Sequence, residues 1–210
     1  MIAESVAAVI AAYLLGSIPF AYLAGRWLKK VDIRREGGGN VGATNVLRQV
    51  GTAAGIVVMA ADIGKGTLAI IIAQGLGVSQ LVVFAAGLAV VVGHNWPVFL
   101  DFEGGRGGAT TIGVFFALAP IPNSIVFGIM LLLAFITSNL RLSMAVGIAL
   151  LPLLIWAFGG ELSLILYAIG LPLFTGLRTL PAIIRSLRDP QQRKNFIFDR
   201  DHKPWQKRKD

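Results

Sequence analysis

The chain contains no cysteine and only two histidines in 210 residues. It therefore offers no disulfide, no thiolate metal site and no cysteine nucleophile, and it lacks the ligands for a metal cluster; neither a metal nor a cofactor is expected. Charge is also scarce. Asp, Glu, Lys and Arg make up 14% of the residues, against about 25% in soluble domains. Together with 55% hydrophobic residues, that shortage excludes a disordered chain and argues against a soluble globular domain. No G-x-S-x-G elbow and no Walker A motif occurs, which removes two common routes to hydrolase or nucleotide chemistry.

What the chain does have is apolar sequence in long runs. A membrane-crossing helix takes about 20 mainly apolar residues, with about 17–25 tolerated. The segments 2–28, 51–74, 77–93, 142–158 and 162–187 each read as a span. The stretch 109–137 is too long for one upright pass. Its centre holds Pro120-Ile121-Pro122-Asn123, which lacks two backbone donors and reads as a tight turn between two passes. Basic residues support that division. With seven spans, the loops at 75–76, 120–123 and 159–161 carry no Lys or Arg, while Lys29, Lys30, Arg34, Arg35, Arg48, Arg106, Arg141 and the basic tail share the other side. Lys and Arg accumulate in cytoplasmic loops.

The expectation is an all-α polytopic integral membrane protein with about seven transmembrane helices, amino terminus out and carboxyl terminus in. Glu4 near the start, in place of a basic region, argues against a cleaved signal peptide. The short pass at 109–119 is expected to tilt or to sit in a water-lined recess. Residues 1–188 form the membrane-embedded part and 189–210 a basic cytoplasmic tail, where Phe196, Phe198 and Trp205 suit an interfacial segment. The net charge of +8 then reports orientation and lipid contact, and no nucleic-acid partner is expected.

Polar residues are costly in a membrane and mark function there. The first polar cluster runs from Gly37 through Gly38, Gly39, Asn40, Gly42, Thr44 and Asn45 to Arg48. Its glycines allow close approach of backbone to a ligand. A helix starting near Ala43, with Thr44 or Asn45 at its cap, adds an anion-binding terminus, and Arg48 can grip a phosphate bidentately. The second cluster places His94 at the end of a span, then Gly104, Gly105, Arg106, Gly107, Gly108 and Thr110. There too, glycine amides and a base precede a helix. Two such loops on one face imply two phosphorylated ligands or one diphosphate. The third cluster, Asp62 and Lys65, sits mid-span at i and i+3, so the two neutralise each other as an ion pair or meet a ligand. The fourth holds Arg141 and Ser143 in a short loop on the same side. No His-x4-Asp spacing follows His94; the fifth residue on is Phe99. Group transfer here must rest on positioning and charge neutralisation.

Several of these runs occur together and in a fixed order: Gly16-Ser17-Ile18-Pro19-Phe20-Ala21-Tyr22, G-x-G-N-x-G-A-T-N-x-x-R, D-x-x-K-G and G-H-x-x-P-x-F-L-x-F-x-G-G-R-G-x-A-T. Over roughly residues 10–145 the chain resembles the bacterial integral-membrane acyl-phosphate:glycerol-3-phosphate acyltransferases. The resemblance implies seven spans in the bacterial inner membrane and an active site facing the cytoplasm. It also implies transfer of an acyl chain from acyl phosphate to the 1-hydroxyl of glycerol 3-phosphate, giving lysophosphatidic acid and phosphate for phospholipid synthesis. A soluble acyl-phosphate synthase is then a candidate partner, beside membrane lipids.

By the same resemblance Arg48, Arg106, His94 and Ser143 are expected to be catalytic. Gly39, Asn40, Gly42, Thr44 and Asn45 are expected to hold the acyl-phosphate headgroup, and Gly104, Gly105, Gly107 and Thr110 the glycerol 3-phosphate. Asp62, Lys65 and Arg141 are further expected substrate contacts. A substrate phosphate is the expected acceptor of the hydroxyl proton. The chain departs from the family at Gly38, where serine is usual, and at Arg106, where lysine is usual. The third family motif, near the carboxyl end, is not recognisable; Asn195 is its nearest counterpart. Two rival readings are another lipid-phosphate transferase and a transporter of a small organic phosphate. The transporter would need polar residues lining a path to both faces and usually an internal repeat, neither of which the sequence offers.

Overall fold

The computed structural model describes residues 2–188, all helix, turn and loop, with no strand among them. The tail beyond them, with Phe196, Phe198, Trp205 and Asn195, lies outside the described residues. Among the described residues nine α-helices follow in order: α1 Ile2–Gly16, α2 Phe20–Ala24, α3 Ala43–Gln49, α4 Thr52–Gly75, α5 Gln80–Asn95, α6 Gly108–Leu118, α7 Pro120–Thr137, α8 Leu140–Ala157 and α9 Leu162–Arg188. Five segments are long and apolar enough to cross a membrane, namely Ile2–Lys29, Thr52–Gly75, Gln80–Leu100, Pro120–Thr137 and Leu162–Pro181. Two shorter apolar helices, Gly108–Leu118 and Leu142–Ala157, complete seven. Large side chains such as Val57, Leu81, Leu132, Leu153 and Leu166 are exposed, as a lipid solvent permits.

Two details differ from the sequence reading. The prolines at 120 and 122 do not form the turn between passes. The chain breaks one residue earlier, at Ala119, and Pro120–Asn123 is the first turn of α7. Proline is tolerated there because first-turn amides have no intrahelical acceptor to lose. The first span is also interrupted. Helix α1 stops at Gly16, residues 17–19 are non-helical, and α2 restarts at Phe20 before a π-helical turn, Gly25–Lys29. Pro19 lacks the amide that would continue the helix and disfavours helical geometry at Ile18.

Among the described residues, those up to Ile121 form one compact unit and those from Pro122 onward another. In the first, α1 packs on α5 and α4 on α6 at near backbone contact. A Cβ on Gly16 would strike the Val90 carbonyl, and one on Gly93 the Tyr13 carbonyl. Gly66 and Gly113 stand in the same relation to Thr110 and Ile63. Lipid gives no hydrophobic drive between helices, so small residues that let backbones touch supply the packing instead. The Thr67 hydroxyl adds a hydrogen bond across the α4–α6 seam, donating to the Gly113 carbonyl at 2.8 Å. At one end of this unit Ala21, Ile33, Val41, Val46, Val58 and Leu100 bury one another. That cluster pins both glycine loops to the helices beneath. In the second unit α8 packs on α9.

Candidate active site

The first glycine loop is shaped from below by one side chain. Asn45 is nearly buried and does not cap α3; Gly42 occupies the cap position with no side-chain bond. The Asn45 amide instead donates to the carbonyls of Ile33 and Glu36, each at 3.0 Å, and its oxygen accepts from the Gly38 amide at 3.4 Å. It stitches residues 33–38 to α3. The amides of Gly39 and Gly42 are also used within the loop, donating to the carbonyls of Glu36 and Asn40. Thr44 lies half-buried in the first turn of α3 and Arg48 half-buried in its last.

Asp32 and Arg34 brace this loop against the second. The Arg34 guanidinium pairs with Asp32 at 2.8 Å and reaches Glu103 at 3.2 Å, while lying over the Tyr22 ring. Hydrogen bonding from Arg34 holds the Asp32 carboxyl down at about 2. A depressed carboxylate lends its support above the ordinary carboxylate range, near pH 4, and loses it only as pH falls through about 2. The brace is therefore charged at any physiological pH.

In the second loop the Gly105 amide donates to the His94 carbonyl at 3.0 Å, so it is not the open amide that the sequence suggested. Its contribution is closeness. A Cβ at Gly105 would overlap His94 Nε2 and press on the Val41 carbonyl of the first loop, and one at Gly104 would strike the His94 carbonyl. The two loops thus meet around His94. Gly107 then turns with φ +76° and caps α6, a conformation that glycine adopts at little cost. Arg106 is half-buried between these glycines. In the first turn of α6 the hydroxyls of Thr110 and Thr111 are buried and lack a hydrogen-bond partner. Buried polar atoms are nearly always satisfied, so two such hydroxyls behind a glycine turn and a helix N-terminus mark a place for a polar ligand or water.

Beneath the loops lies an ionic cluster. Lys65 Nζ is 2.9 Å from Asp62 Oδ1, and His94 Nδ1 is 3.4 Å from the same oxygen. All three residues are buried. Lys65 also donates to the carbonyls of Gly16 at 2.9 Å and Ile18 at 3.2 Å, at and just past the end of α1, where the first span breaks. A narrow recess, with room for little more than one water molecule, opens here, lined by the break from Gly16 to Ala21, by Asp62, Lys65 and His94, and by Val41 and Gly104 of the two loops.

The structure therefore brings Asp62, Lys65, His94, Gly104 and Gly105 together. Arg48, Arg106 and Thr44 are carried by the same loops and helix starts but do not line the recess. Ser143 belongs to the second unit, where it is buried and its hydroxyl donates to the Asn139 carbonyl at 3.0 Å; the Arg141 side chain lies outside the described residues. The break at residues 17–19 went unread as a site element. The signal for it was Pro19 in mid-span, since broken helices in membranes commonly border binding sites.

Gly38 faces open space: a Cβ there meets nothing within 4 Å. Gly38→Ser should leave the thermal midpoint within about 2 °C of the parent, and melting of the purified variant in detergent checks this. A larger drop would show that the loop reads side chains at 38 more closely than its openness suggests.

A helical membrane bundle with two glycine-and-arginine loops closed over a buried ionic cluster has the make-up of an integral-membrane enzyme for anionic substrates. A family profile described as glycerol-3-phosphate acyltransferase matches residues 6–189, and the chain belongs to that family. It is 48% identical over 151 residues to glycerol-3-phosphate acyltransferase 2 of Moorella thermoacetica, covering 72% of this chain and 77% of that one. It is 38% identical over 200 residues to glycerol-3-phosphate acyltransferase 1 of Dehalococcoides mccartyi, covering 91% and 95%. Its fold matches the crystal structure of PlsY (YgiH), an integral membrane glycerol 3-phosphate acyltransferase, in its glycerol 3-phosphate form. That match has a TM-score of 0.79 and 36% identity, over 87% of this chain and 92% of that one. The lysophosphatidic acid form of the same protein matches at 0.77 and 35%, over 87% and 91%.

Proposed function

We propose that this chain transfers an acyl group from acyl phosphate to the 1-hydroxyl of glycerol 3-phosphate in the bacterial inner membrane. The reaction takes place at the cytoplasmic face, and the carboxyl terminus lies inside. The hydroxyl oxygen attacks the acyl carbonyl and forms the ester, and the bond from acyl carbon to phosphate oxygen breaks. The proton passes to a substrate phosphate. Lysophosphatidic acid and inorganic phosphate leave. The mixed anhydride is already activated, so binding two phosphates side by side and orienting the hydroxyl is the main task.

The observation that carries this reading is the meeting of the two glycine loops at His94, each loop bearing an arginine. The Asn40–Arg48 loop takes the acyl-phosphate headgroup. The turn at Gly104–Thr110, with Arg106 and the unpartnered Thr110 and Thr111 hydroxyls, takes the phosphate of glycerol 3-phosphate, and Arg48 bridges the two. The cytoplasmic orientation follows from the basic residues of both loops, and a soluble acyl-phosphate synthase would deliver the donor there.

The test is product formation by the purified protein in detergent, with glycerol 3-phosphate and, in parallel, acyl phosphate, acyl carrier protein thioester or acyl-CoA. Lysophosphatidic acid from acyl phosphate alone is the expected result. Product from a thioester and none from acyl phosphate would overturn the donor assignment.

A further inference from the structure

His94 has an acidic partner that its own sequence neighbourhood does not supply. The fifth residue after it is Phe99, so no carboxylate follows at the spacing used by other His–Asp pairs. The structure delivers one from another helix: Asp62 Oδ1 of α4 stands 3.4 Å from His94 Nδ1 of α5. We propose that Asp62 and Lys65 are positioning residues, which fix His94 as its Nδ1–H tautomer and aim the Nε2 lone pair into the Gly104–Gly105 turn.

A carboxylate only accepts, so the nitrogen facing it must carry the proton, and the second ring nitrogen of a neutral imidazole is then an acceptor. That second nitrogen lies where a Cβ on Gly105 would overlap it, in the turn that precedes Arg106. There it can accept a hydrogen bond from a substrate hydroxyl, a role that rests on the acyl-transfer reading given above. Lys65 holds the carboxylate still. An ammonium has three donors, and these meet Asp62 Oδ1, the Gly16 carbonyl and the Ile18 carbonyl. With its donors taken up inside the fold, Lys65 anchors Asp62 to the broken first span and leaves substrate phosphate to the arginines. One oxygen thus accepts from both donors of the cluster, the Lys65 ammonium and His94 Nδ1. The register of α1, α4 and α5 is set at the point where the recess opens.

The experiment reads the tautomer directly. The chain has two histidines, His94 and His202, so a His202→Gln background leaves one imidazole for ¹⁵N NMR in detergent micelles. The parent should show the Nδ1–H form. Asp62→Asn should move part of the population to Nε2–H. It should also lower kcat about 100-fold while the KM for glycerol 3-phosphate changes less than about threefold, the scale set by misplacing a group that orients the attacking hydroxyl. A packing role alone would lower the melting temperature and leave the tautomer and the kcat-to-KM split unmoved. If Asp62→Asn does not fold because the Lys65 charge is stranded, Asp62→Leu/Lys65→Met removes both charges together, an exchange that buried pairs often tolerate.

A parent in the Nε2–H form overturns the inference. So does a folded variant with parental tautomer and parental kcat. A parent that makes no lysophosphatidic acid from any donor counts against the acyl-transfer reading instead, and the tautomer still decides the positioning claim.

Discussion

Arg106→Ala lowers turnover about 100- to 1,000-fold, and Arg48→Ala does so to a similar degree, because each removes a preorganised cation from a site built on charge neutralisation. Both side chains are half-buried at the level of the loops, Arg48 on the last turn of α3 and Arg106 between Gly105 and Gly107. Neither lies within an apolar span, so both variants should stay in the membrane fraction at parental abundance. Arg106→Lys keeps the charge and loses only the planar fork; it should retain activity within about tenfold of the parent. Initial rates of lysophosphatidic acid formation, normalised to membrane-bound protein, check all three. Near-parental rates in both alanine variants would show that the two-loop account is wrong.

Gly105→Ala should lower kcat about 100-fold. The added Cβ would occupy the space of His94 Nε2 and press on the Val41 carbonyl. One of these contacts is a backbone atom of the other loop, which cannot rotate away. Overpacking of this kind costs about 1–3 kcal/mol. The larger effect is functional, since a displacement of about 1 Å among reacting groups costs about 100-fold in rate. Thermal midpoint and kcat measured on the same preparation separate the two. If Gly105→Ala turned over substrate as fast as Gly38→Ser, the close approach of the loops at His94 would have no part in the reaction.

Much of this was legible from residue type and order. Seven apolar passes could be counted because lipid demands long uncharged helices, and the basic residues of 29–48 and Arg106 marked one face. The turn at 119 was displaced by a few residues because Pro120 and Pro122 suit a helix start as well as a turn. Asn45 looked like a cap on account of its type, but its partners, the Ile33 and Glu36 carbonyls, are set by tertiary structure. The Asp62–Lys65 pair was visible at its i,i+3 spacing. Its third member, His94, comes from another helix, and the carbonyls that Lys65 satisfies come from the end of α1 and the break that follows it. Contacts across the bundle leave no periodic trace in sequence, so the cluster emerged only with the fold.

The loop assignment has its most direct test in calorimetric titration of glycerol 3-phosphate into the purified protein, without acyl donor. Saturable binding to the parent and to Gly38→Ser is expected, with Kd raised about 100-fold or more in Arg106→Ala, the scale of two charge-assisted hydrogen bonds to one phosphate. Equal affinity in the parent and in Arg106→Ala would contradict the placement of glycerol 3-phosphate at the start of α6.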